Sequence, residues 1–340
     1  MRPTELTELL SVAIPERLAI LIQGAPGVGK SDIVAKACAQ AGTDLIISHP
    51  VVSDPTDAKG LPWVGSDKKS ATFLPFGEMK RALDAKVPTV WFLDDLGQAS
   101  PAVQASFMQL LLARRVNGHV LPDCVTFLAA TNRRTDRAGV AGLLEPVKSR
   151  FVSIVELEAH AGDWCEWALA ANLPTEVLSF IRFRPDLLHD FKPTADLANS
   201  PSPRTWAHVA KLVQLGLPSG VLLEAVKGAV GEGAGTEFFA FYSMFRSLPN
   251  LDAIILNPDG ASIPTEPSVL YATATGLASK ASDVTFASLG RFMERLVDAQ
   301  QGEFAVMMLR DCSRRWPDCV HHPMWVKLTT GKLGKLYTGK

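Results

Sequence analysis

Short apolar runs recur through the first half of the chain, and stretches with helical spacing of apolar residues separate them. None of the runs alternates cleanly between apolar and polar residues, which favours strands buried on both faces. They predict strands at 18–22, 44–48, 89–93, 125–130 and 152–157. The intervening patterns predict helices at 32–41, 76–85 and 101–113. This order of elements predicts an α/β fold with a parallel sheet covered on both faces.

The pattern changes at two places along the chain. Residues 49–75 are rich in Pro and Gly, and we interpret them as a long loop or small insertion. From about residue 158 the strand signal fades and helical spacing continues, with long helical segments at 268–282 and 284–312. We therefore predict three regions, an α/β domain, a smaller helical domain and a further helical region, at 1–157, 158–250 and 251–340.

Composition narrows the possible surroundings of this protein. Its 340 residues carry a net charge of −1, which gives no overall attraction to nucleic acid or to an anionic membrane. No apolar stretch approaches the ~20 residues of a membrane-spanning helix, and the N-terminal residues lack the pattern of a secretion signal. We expect a cytoplasmic protein that does not contact membranes.

Five cysteines, an odd and scattered set, do not indicate a disulfide framework. One cluster has residue types that suit zinc: Cys312, Cys319, His321 and His322. Its spacing matches no common zinc motif, so a metal site and a plain helix end followed by a turn both remain open.

Residues 24–31 read Gly-Ala-Pro-Gly-Val-Gly-Lys-Ser and lie between a predicted strand and a predicted helix. In that context, successive backbone N–H groups and the helix N-terminus bind a polyphosphate. Lys30 is then expected to reach the phosphates, and the Ser31 hydroxyl to hold Mg²⁺. The predicted nucleotide-binding residues are Gly24, Ala25, Pro26, Gly27, Val28, Gly29, Lys30, Ser31 and Asp32.

Hydrolysis of ATP needs further groups beside such a loop. Asp94 and Asp95 follow the apolar run at 89–93, where ligands of open α/β sheets bind. Asp94 is expected to hold Mg²⁺ and Asp95 to face the attacking water. The same two residues are also compatible with aspartates that only form a turn or cap a helix. Asn132 follows another buried strand and either contacts the γ-phosphate or is only a turn residue.

Two arginines are candidates for stabilising the charge of the transition state. Arg150 lies just before the fifth predicted strand, and Arg204 lies at the start of a helix in the second region. Each is also compatible with an ordinary surface arginine.

Taken in order, these segments resemble the AAA+ ATPases, and among them most closely the MoxR branch. Gly24–Ser31 matches Walker A, Phe92–Asp95 matches Walker B, and Asn132 matches sensor 1. Arg150 matches the arginine finger and Arg204 matches sensor 2. In one departure from the family, Asp95 stands where Glu is usual, so its side chain is one methylene shorter. We therefore expect that ATP turnover could be slow.

The resemblance implies a P-loop AAA+ sheet, an all-α lid domain and the use of ATP with Mg²⁺. It also implies a ring, expected to be a hexamer, in which Arg150 of one subunit completes the site of the next. The lid that carries Arg204 would move during the cycle, and the segments 49–75 and 115–122 would contact a protein client. The family commonly works with a partner that has a von Willebrand A domain.

Other functions are compatible with the same motifs. One is a nucleotide-gated binding module with little hydrolysis, suggested by Asp95. Another is a nucleic-acid motor or helicase loader, against which the net charge argues. The tight basic cluster formed by Arg133, Arg134 and Arg137 is more simply part of an interface. A small-molecule kinase has no obvious acceptor pocket in the helical second half.

Overall fold

The computed structural model describes residues 1–65, 67–136, 142–194, 196–246, 248 and 250–338. Its contacts divide the chain into two units. The first contains residues 1–160 and a short segment that begins at Phe191, and the second contains residues 161–190 and those from 196 onward. The finer division at 157 and 250 stays a prediction.

A five-stranded parallel sheet forms the centre of the first unit. The strands of the sheet are β1 (Ile20–Gly24), β2 (Asp44–Ser48), β5 (Thr89–Leu93), β8 (Val125–Thr131) and β9 (Ser153–Leu157). Their order across the sheet is β2-β5-β8-β1-β9. The strand that leads into the glycine-rich turn therefore lies beside the strand that leads to Asn132, and that strand lies beside the one before Asp94.

Helices and two hairpins surround this sheet. The helices of the first unit are α1 (Pro3–Ala13), α2 (Lys30–Gln40), α3 (Pro55–Lys59), α4 (Gly77–Leu83), α5 (Pro101–Ala113) and α6 (Glu145–Lys148). The hairpins are β3 (Leu61–Val64) with β4 (Ala71–Leu74), and β6 (Arg115–Val116) with β7 (His119–Val120). The first hairpin and α3 lie within the segment 49–75, and the second lies within the segment 115–122.

The central strands of the sheet are packed on both faces. On one face Trp91 stacks on Phe127 at 5.3 Å and meets Phe107 of α5 edge-on. On the other face Phe92 and Leu128 pack in a core with α1 and α2. Every residue of β5 and β8 is buried, so the groups that follow these strands emerge at the edge of a rigid, dry core.

The described part of the second unit consists of helices joined by turns and loops. Its helices are α7 (Ala161–Ala170), α8 (Thr175–Phe183), α9 (Pro203–Gln214), α10 (Ser219–Val230), α11 (Glu232–Arg246), α12 (Leu251–Leu256), α13 (Pro267–Ala278), α14 (Phe286–Asp298), α15 (Gly302–Arg315), α16 (Pro323–Thr330) and α17 (Lys332–Thr338). Phe180 of α8 contacts Trp206 and Phe238 with ring centroids 5.3 Å apart in each pair, which joins α8, α9 and α11.

The predicted α/β fold class, a parallel sheet flanked by helices and followed by helical regions, is confirmed. Among the described residues, no helix combines the length and the apolar composition needed to cross a bilayer. The prediction of one helix over 284–312 is wrong, since α14 ends at Asp298 and α15 begins at Gly302. Gln300 between them has a left-handed backbone with φ 62°, which a continuing helix cannot contain.

The first strand begins two residues later than predicted. Leu18 donates its N–H to the carbonyl of Ala13 at 2.9 Å, so it belongs to the turn that closes α1. Helix α1 itself did not emerge from the sequence pattern, although its Leu6 and Leu10 are completely buried.

Candidate nucleotide-binding site

The glycines of the 24–31 turn are needed for two different reasons. Gly27 and Gly29 have φ of 75° and 102°, a left-handed backbone that glycine adopts without strain. Gly24 instead lacks room, because a Cβ there would lie 2.9 Å from the carbonyl oxygen of Leu157. Gly29 is also the N-cap of α2, so the turn delivers the chain directly into the positive end of that helix. The result is a cradle of backbone N–H groups that suits phosphate.

Lys30 lies inside this cradle and is only 8% exposed. Its Nζ donates to the carbonyl oxygens of Gly24 and Ala25 at 2.9 and 3.1 Å, and to Asn132 Oδ1 at 2.7 Å. The ammonium is thus held at the mouth of the turn by oxygen acceptors, which is where a phosphate oxygen would compete for it.

Ser31 and Asp94 form a second contact between the turn and the sheet. The Ser31 hydroxyl donates to Asp94 Oδ2 at 2.6 Å, and Asp94 is 8% exposed. Two neighbouring ligands of an octahedral Mg²⁺ lie about 3 Å apart, close to this separation. A hydroxyl and a carboxylate are the oxygen ligands that Mg²⁺ prefers, so the two side chains fit one such ion.

Asp95 follows directly and has an unusual backbone. Its φ of 58° is left-handed, and it precedes a 3-10 turn at Leu96–Gln98. Asp95 Oδ1 accepts from Gln98 Nε2 at 2.7 Å and lies 3.5 Å from Asn132 Nδ2. The carboxylate is therefore oriented by two side-chain amides, one of which, Asn132, directly follows the neighbouring strand β8.

Sheet register explains why these side chains meet. Gln23 of β1 pairs with Thr131 of β8, and Leu93 of β5 pairs with Ala129. The three strands end almost level, so Lys30, Ser31, Asp94, Asp95 and Asn132 are brought to one edge of the sheet. The other residues of the turn line it without reaching this cluster: Ala25 and Val28 are buried, Pro26 is half-buried, and Asp32 is exposed in the first turn of α2.

The two predicted arginines occupy other positions. Arg150 lies beyond α6, where its Nε donates to the Met108 carbonyl at 2.9 Å and its Nη1 donates to the Pro146 carbonyl. Both partners are in its own chain. Arg204 is exposed near the start of α9 in the second unit, behind a Ser202 N-cap whose hydroxyl accepts from the Thr205 N–H.

One arginine of the basic cluster beside Asn132, Arg133, is paired within the chain. Arg133 contacts Asp136 through its Nε at 3.1 Å and Glu156 through its Nη1 at 3.2 Å. Its hydrogen bonds to Asp136 raise the pKa of the Arg133 guanidinium above its ordinary value. Arg134 is exposed, and Arg137 lies outside the described residues. A paired guanidinium of this kind braces the ends of β8 and β9.

Two residues of the site were not found by sequence reasoning, namely Gly97 and Gln98. Gly97 passes so close to β8 that an added Cβ would meet Thr131 Oγ1 at 2.1 Å. Gln98 provides the amide that contacts Asp95. The only signal in the sequence was their place directly after the carboxylates, and nothing in the local pattern showed what either would touch.

The cysteine and histidine cluster shows no metal site. Within the described part of the chain, no group of three or more His, Cys, Asp or Glu side chains is arranged to hold a metal ion. Cys312 and Cys319 are buried thiols, and burial raises the pKa of Cys319 to about 11. His322 Nδ1 accepts from the Met324 N–H at 3.0 Å and so caps α16. These contacts account for the cluster as a helix end and turn.

No family model matches the chain. Midasin of Giardia intestinalis is 28% identical over 171 residues, which cover 48% of this chain and 4% of that protein. The chain thus spans a small part of that curated relative. The RuvB Holliday junction branch migration motor of Thermotoga maritima has a TM-score of 0.40 and 17% identity, covering 81% of this chain and 80% of that one. A RuvB variant from the same organism has a TM-score of 0.41 and 17% identity, covering 84% and 85%. The assignment of chemistry therefore depends on this chain's own residues.

Proposed function

We propose that this protein is a MoxR-type AAA+ ATPase that uses Mg-ATP in a ring to remodel or mature a protein client. The supporting observation is the pair of contacts that join the glycine-rich turn to its neighbouring strands. These are Ser31 Oγ to Asp94 Oδ2 at 2.6 Å and Lys30 Nζ to Asn132 Oδ1 at 2.7 Å. They bring a phosphate cradle, a magnesium-type ligand pair and a polar sensor to one sheet edge, as phosphoryl transfer requires.

Each residue of the cluster has a distinct part in this proposal. The N–H groups of the turn and the N-terminus of α2 bind the phosphates, and Lys30 neutralises their charge. Ser31 and Asp94 hold Mg²⁺, which when bound draws charge from the phosphate oxygens. Asp95 orients the attacking water and accepts its proton, and Asn132 contacts the terminal phosphate. Positioning dominates this chemistry, so the rigid strand ends are what make the site effective.

Arg150 is proposed to complete the site of the neighbouring subunit. Its present partners are two main-chain carbonyls, so its charge is not paired with a carboxylate in those contacts. Exchanging a neutral acceptor for a phosphate oxygen strengthens the hydrogen bonds of a guanidinium. Arg204, in the proposed lid, is likewise proposed to stabilise the negative charge of the phosphates in the transition state.

The client surface is proposed to be the pair of hairpins, β3–β4 and β6–β7. The first presents exposed apolar residues, among them Trp63 at 59% and Val64 at 63% exposure. Its base is tied to the second hairpin, since Asn117 Nδ2 donates to the Lys59 carbonyl at 2.8 Å. Exposed apolar side chains on a braced support suit contact with another protein. A client or partner with a von Willebrand A domain follows from the resemblance.

Subunit mixing tests the shared site directly. Lys30→Ala removes phosphate binding but keeps Arg150, whereas Arg150→Ala keeps binding but lacks the proposed finger. Each variant alone is expected to be inactive, and a mixture is expected to recover Mg²⁺-dependent ATP turnover because mixed rings contain complete sites. Arg81→Ala, which changes an exposed arginine of α4, is the matched control and is expected to turn over like the unmodified protein.

The turnover rate per subunit is also expected to rise with protein concentration as rings assemble. A flat rate from dilute solution upward, unaffected by Arg150→Ala, contradicts completion of the site between subunits. Absence of Mg²⁺-dependent turnover in the unmodified protein at every concentration contradicts the ATPase itself.

A nucleotide-gated binding module is the second candidate. The observation that favours it is the short side chain of Asp95, which stands where the family usually has Glu. This function predicts tight ATP binding without turnover in the assembled state, and no change on Asp95→Glu. A nucleic-acid motor predicts salt-dependent DNA binding or DNA-stimulated turnover.

A further inference from the structure

We propose that Gln98 is a positioning residue for ATP hydrolysis, one that fixes Asp95 so that a single carboxylate oxygen is presented to the attacking water. This role rests on the proposed ATPase function. Gln98 lies three residues after Asp95, at the end of the 3-10 turn Leu96–Gln98. Its backbone N–H donates to the Asp95 carbonyl at 3.0 Å, and its side-chain Nε2 donates to Asp95 Oδ1 at 2.7 Å.

The direction of the side-chain contact follows from chemistry. An ionised carboxylate only accepts hydrogen bonds, so the amide nitrogen of Gln98 must face Asp95 and the amide oxygen must face away. That oxygen, Oε1, is buried and has no hydrogen-bond partner among the described residues. Within the described residues, the buried amide of Gln98 is therefore held by its bond to Asp95 and by no contact at Oε1.

The orientation of Gln98 is therefore dictated by Asp95. Turning the amide over would place its oxygen against a carboxylate oxygen, which is repulsive. A hydrogen bond to an ionised group is stronger than one between neutral groups, and this bond compensates for the unpaired Oε1. We expect a side chain to keep one unpaired polar atom when its other hydrogen bond orients a neighbouring residue.

The turn that carries both residues is itself fixed against the sensor strand. Gly97 lies between Asp95 and Gln98 and approaches Thr131 so closely that no Cβ fits. Asn132 follows Thr131, and its Nδ2 lies 3.5 Å from the same oxygen, Oδ1 of Asp95. The side-chain amides of Gln98 and Asn132 thus both contact Oδ1 of Asp95, and Oδ2 takes part in neither contact.

This arrangement gives a reason for the shorter acid. A carboxylate one methylene shorter than Glu has less reach, so its effect on a water depends more on a fixed orientation. Gln98 limits rotation of the Asp95 carboxylate through Oδ1, and in this proposal Oδ2 is the oxygen that contacts the water. Gln98 does not touch the nucleotide in this account and acts only through Asp95.

The test compares Gln98→Ala with Gln109→Ala, an exposed glutamine on α5 that serves as the matched control. For Gln98→Ala we expect kcat for ATP to fall by about 10-fold to 100-fold, with KM and the affinity for ATP unchanged. Gln109→Ala is expected to leave all three unchanged. The swapped pair Asp95→Glu with Gln98→Asn keeps the combined length of the two side chains and is expected to recover most of kcat relative to Gln98→Asn alone.

A second measurement does not depend on turnover. In the nucleotide-free protein, the thermal midpoints of Gln98→Ala, Asp95→Ala and the double variant form a cycle. A direct bond predicts shifts that are non-additive by about 2–4 °C.

Three results would overturn the role of Gln98: an unchanged or increased kcat in Gln98→Ala, a parallel loss of ATP affinity, or additive midpoint shifts. Each of them leaves Mg²⁺-dependent turnover of the unmodified protein intact. Failure of that turnover overturns the proposed function itself, and the two failures are thereby distinguished.

Discussion

Gly97→Ala perturbs the place where the turn after the carboxylates meets the sensor strand. The new Cβ would lie 2.1 Å from Thr131 Oγ1, 3.1 Å from Thr131 Cβ and 3.3 Å from Leu143 Cδ1. Thr131 is β-branched and lies in a strand buried along its whole length, so it has little freedom to move aside. Restoring ordinary contact therefore needs a displacement of the turn by about 1.3 Å.

Overpacking of this kind costs about 1–3 kcal/mol of folding free energy. The displaced turn carries Asp95 and Gln98, and a misplacement near 1 Å lowers a positioned reaction by about 100-fold. We expect Gly97→Ala to bind ATP with nearly normal affinity, because the 24–31 turn is not displaced, while kcat falls 10-fold to 100-fold. ATP affinity by equilibrium titration and kcat by phosphate release measure the two effects separately.

A second substitution identifies the cause. Thr131→Ala removes the oxygen that the new Cβ meets, so the double variant Gly97→Ala, Thr131→Ala is expected to recover part of the lost kcat. Gly228→Ala in α10 is the control, since nothing lies within 4 Å of its added Cβ. In a helix interior that change favours folding by about 0.5–1 kcal/mol, and it is expected not to alter kcat. Unchanged kcat in Gly97→Ala, or no recovery in the double variant, refutes the steric reasoning.

Further predictions concern the ion site, the second unit and the thiols. Ser31→Ala and Asp94→Asn are each expected to raise the Mg²⁺ concentration needed for half-maximal turnover, as a Mg²⁺ titration measures; an unchanged midpoint argues against their pairing as ligands. The buried guanidinium of Arg182 donates to Asp311 through two nitrogens. Asp311→Ala leaves that charge unpaired and is expected to lower the free energy of unfolding by about 3–5 kcal/mol, measured with denaturant. A loss below about 1 kcal/mol contradicts a buried pair. Burial raises the pKa of Cys165 to about 12, so its thiol is expected to resist alkylation at pH 8 until the protein unfolds. Mass spectrometry of labelled peptides measures this resistance. The native state holds that proton more tightly than the unfolded chain, so the Cys165 contribution to stability is expected to fall as the pH rises from about 9 towards 12.

The sheet could be predicted because its signal is local. The runs at 44–48 and 89–93 match the bounds of β2 and β5, and every residue of β5 is buried, as a strand covered on both faces requires. The glycine-rich turn was visible for a similar reason: backbone conformations such as that of Gly29 restrict which residue can occupy the position. The start of α5 also has a local cause, since the hydroxyl of its N-cap Ser100 accepts from the Val103 N–H.

The parts that escaped prediction depend on contacts between distant segments. Helix α1 was not predicted, because its apolar residues Leu6 and Leu10 are explained only by their packing against the sheet. The close approach of Gly97 to Thr131 joins the turn after β5 to β8, two segments that are distant in the sequence. Arg150 was recognised by its place among the motifs, whereas its bonds to the carbonyls of Met108 and Pro146 depend on how α5 and α6 pack.

The two hairpins of the first unit are joined through backbone acceptors. Asn117 donates to the carbonyl of Lys59, and His119 Nε2 contacts the carbonyl of Phe73 at 2.7 Å. Every amino acid supplies a carbonyl, so these two hydrogen bonds require the side chains of Asn117 and His119 but do not themselves depend on the side chains at 59 and 73. Such a junction allows the outward surface to diverge during evolution while the two hairpins keep a common anchorage.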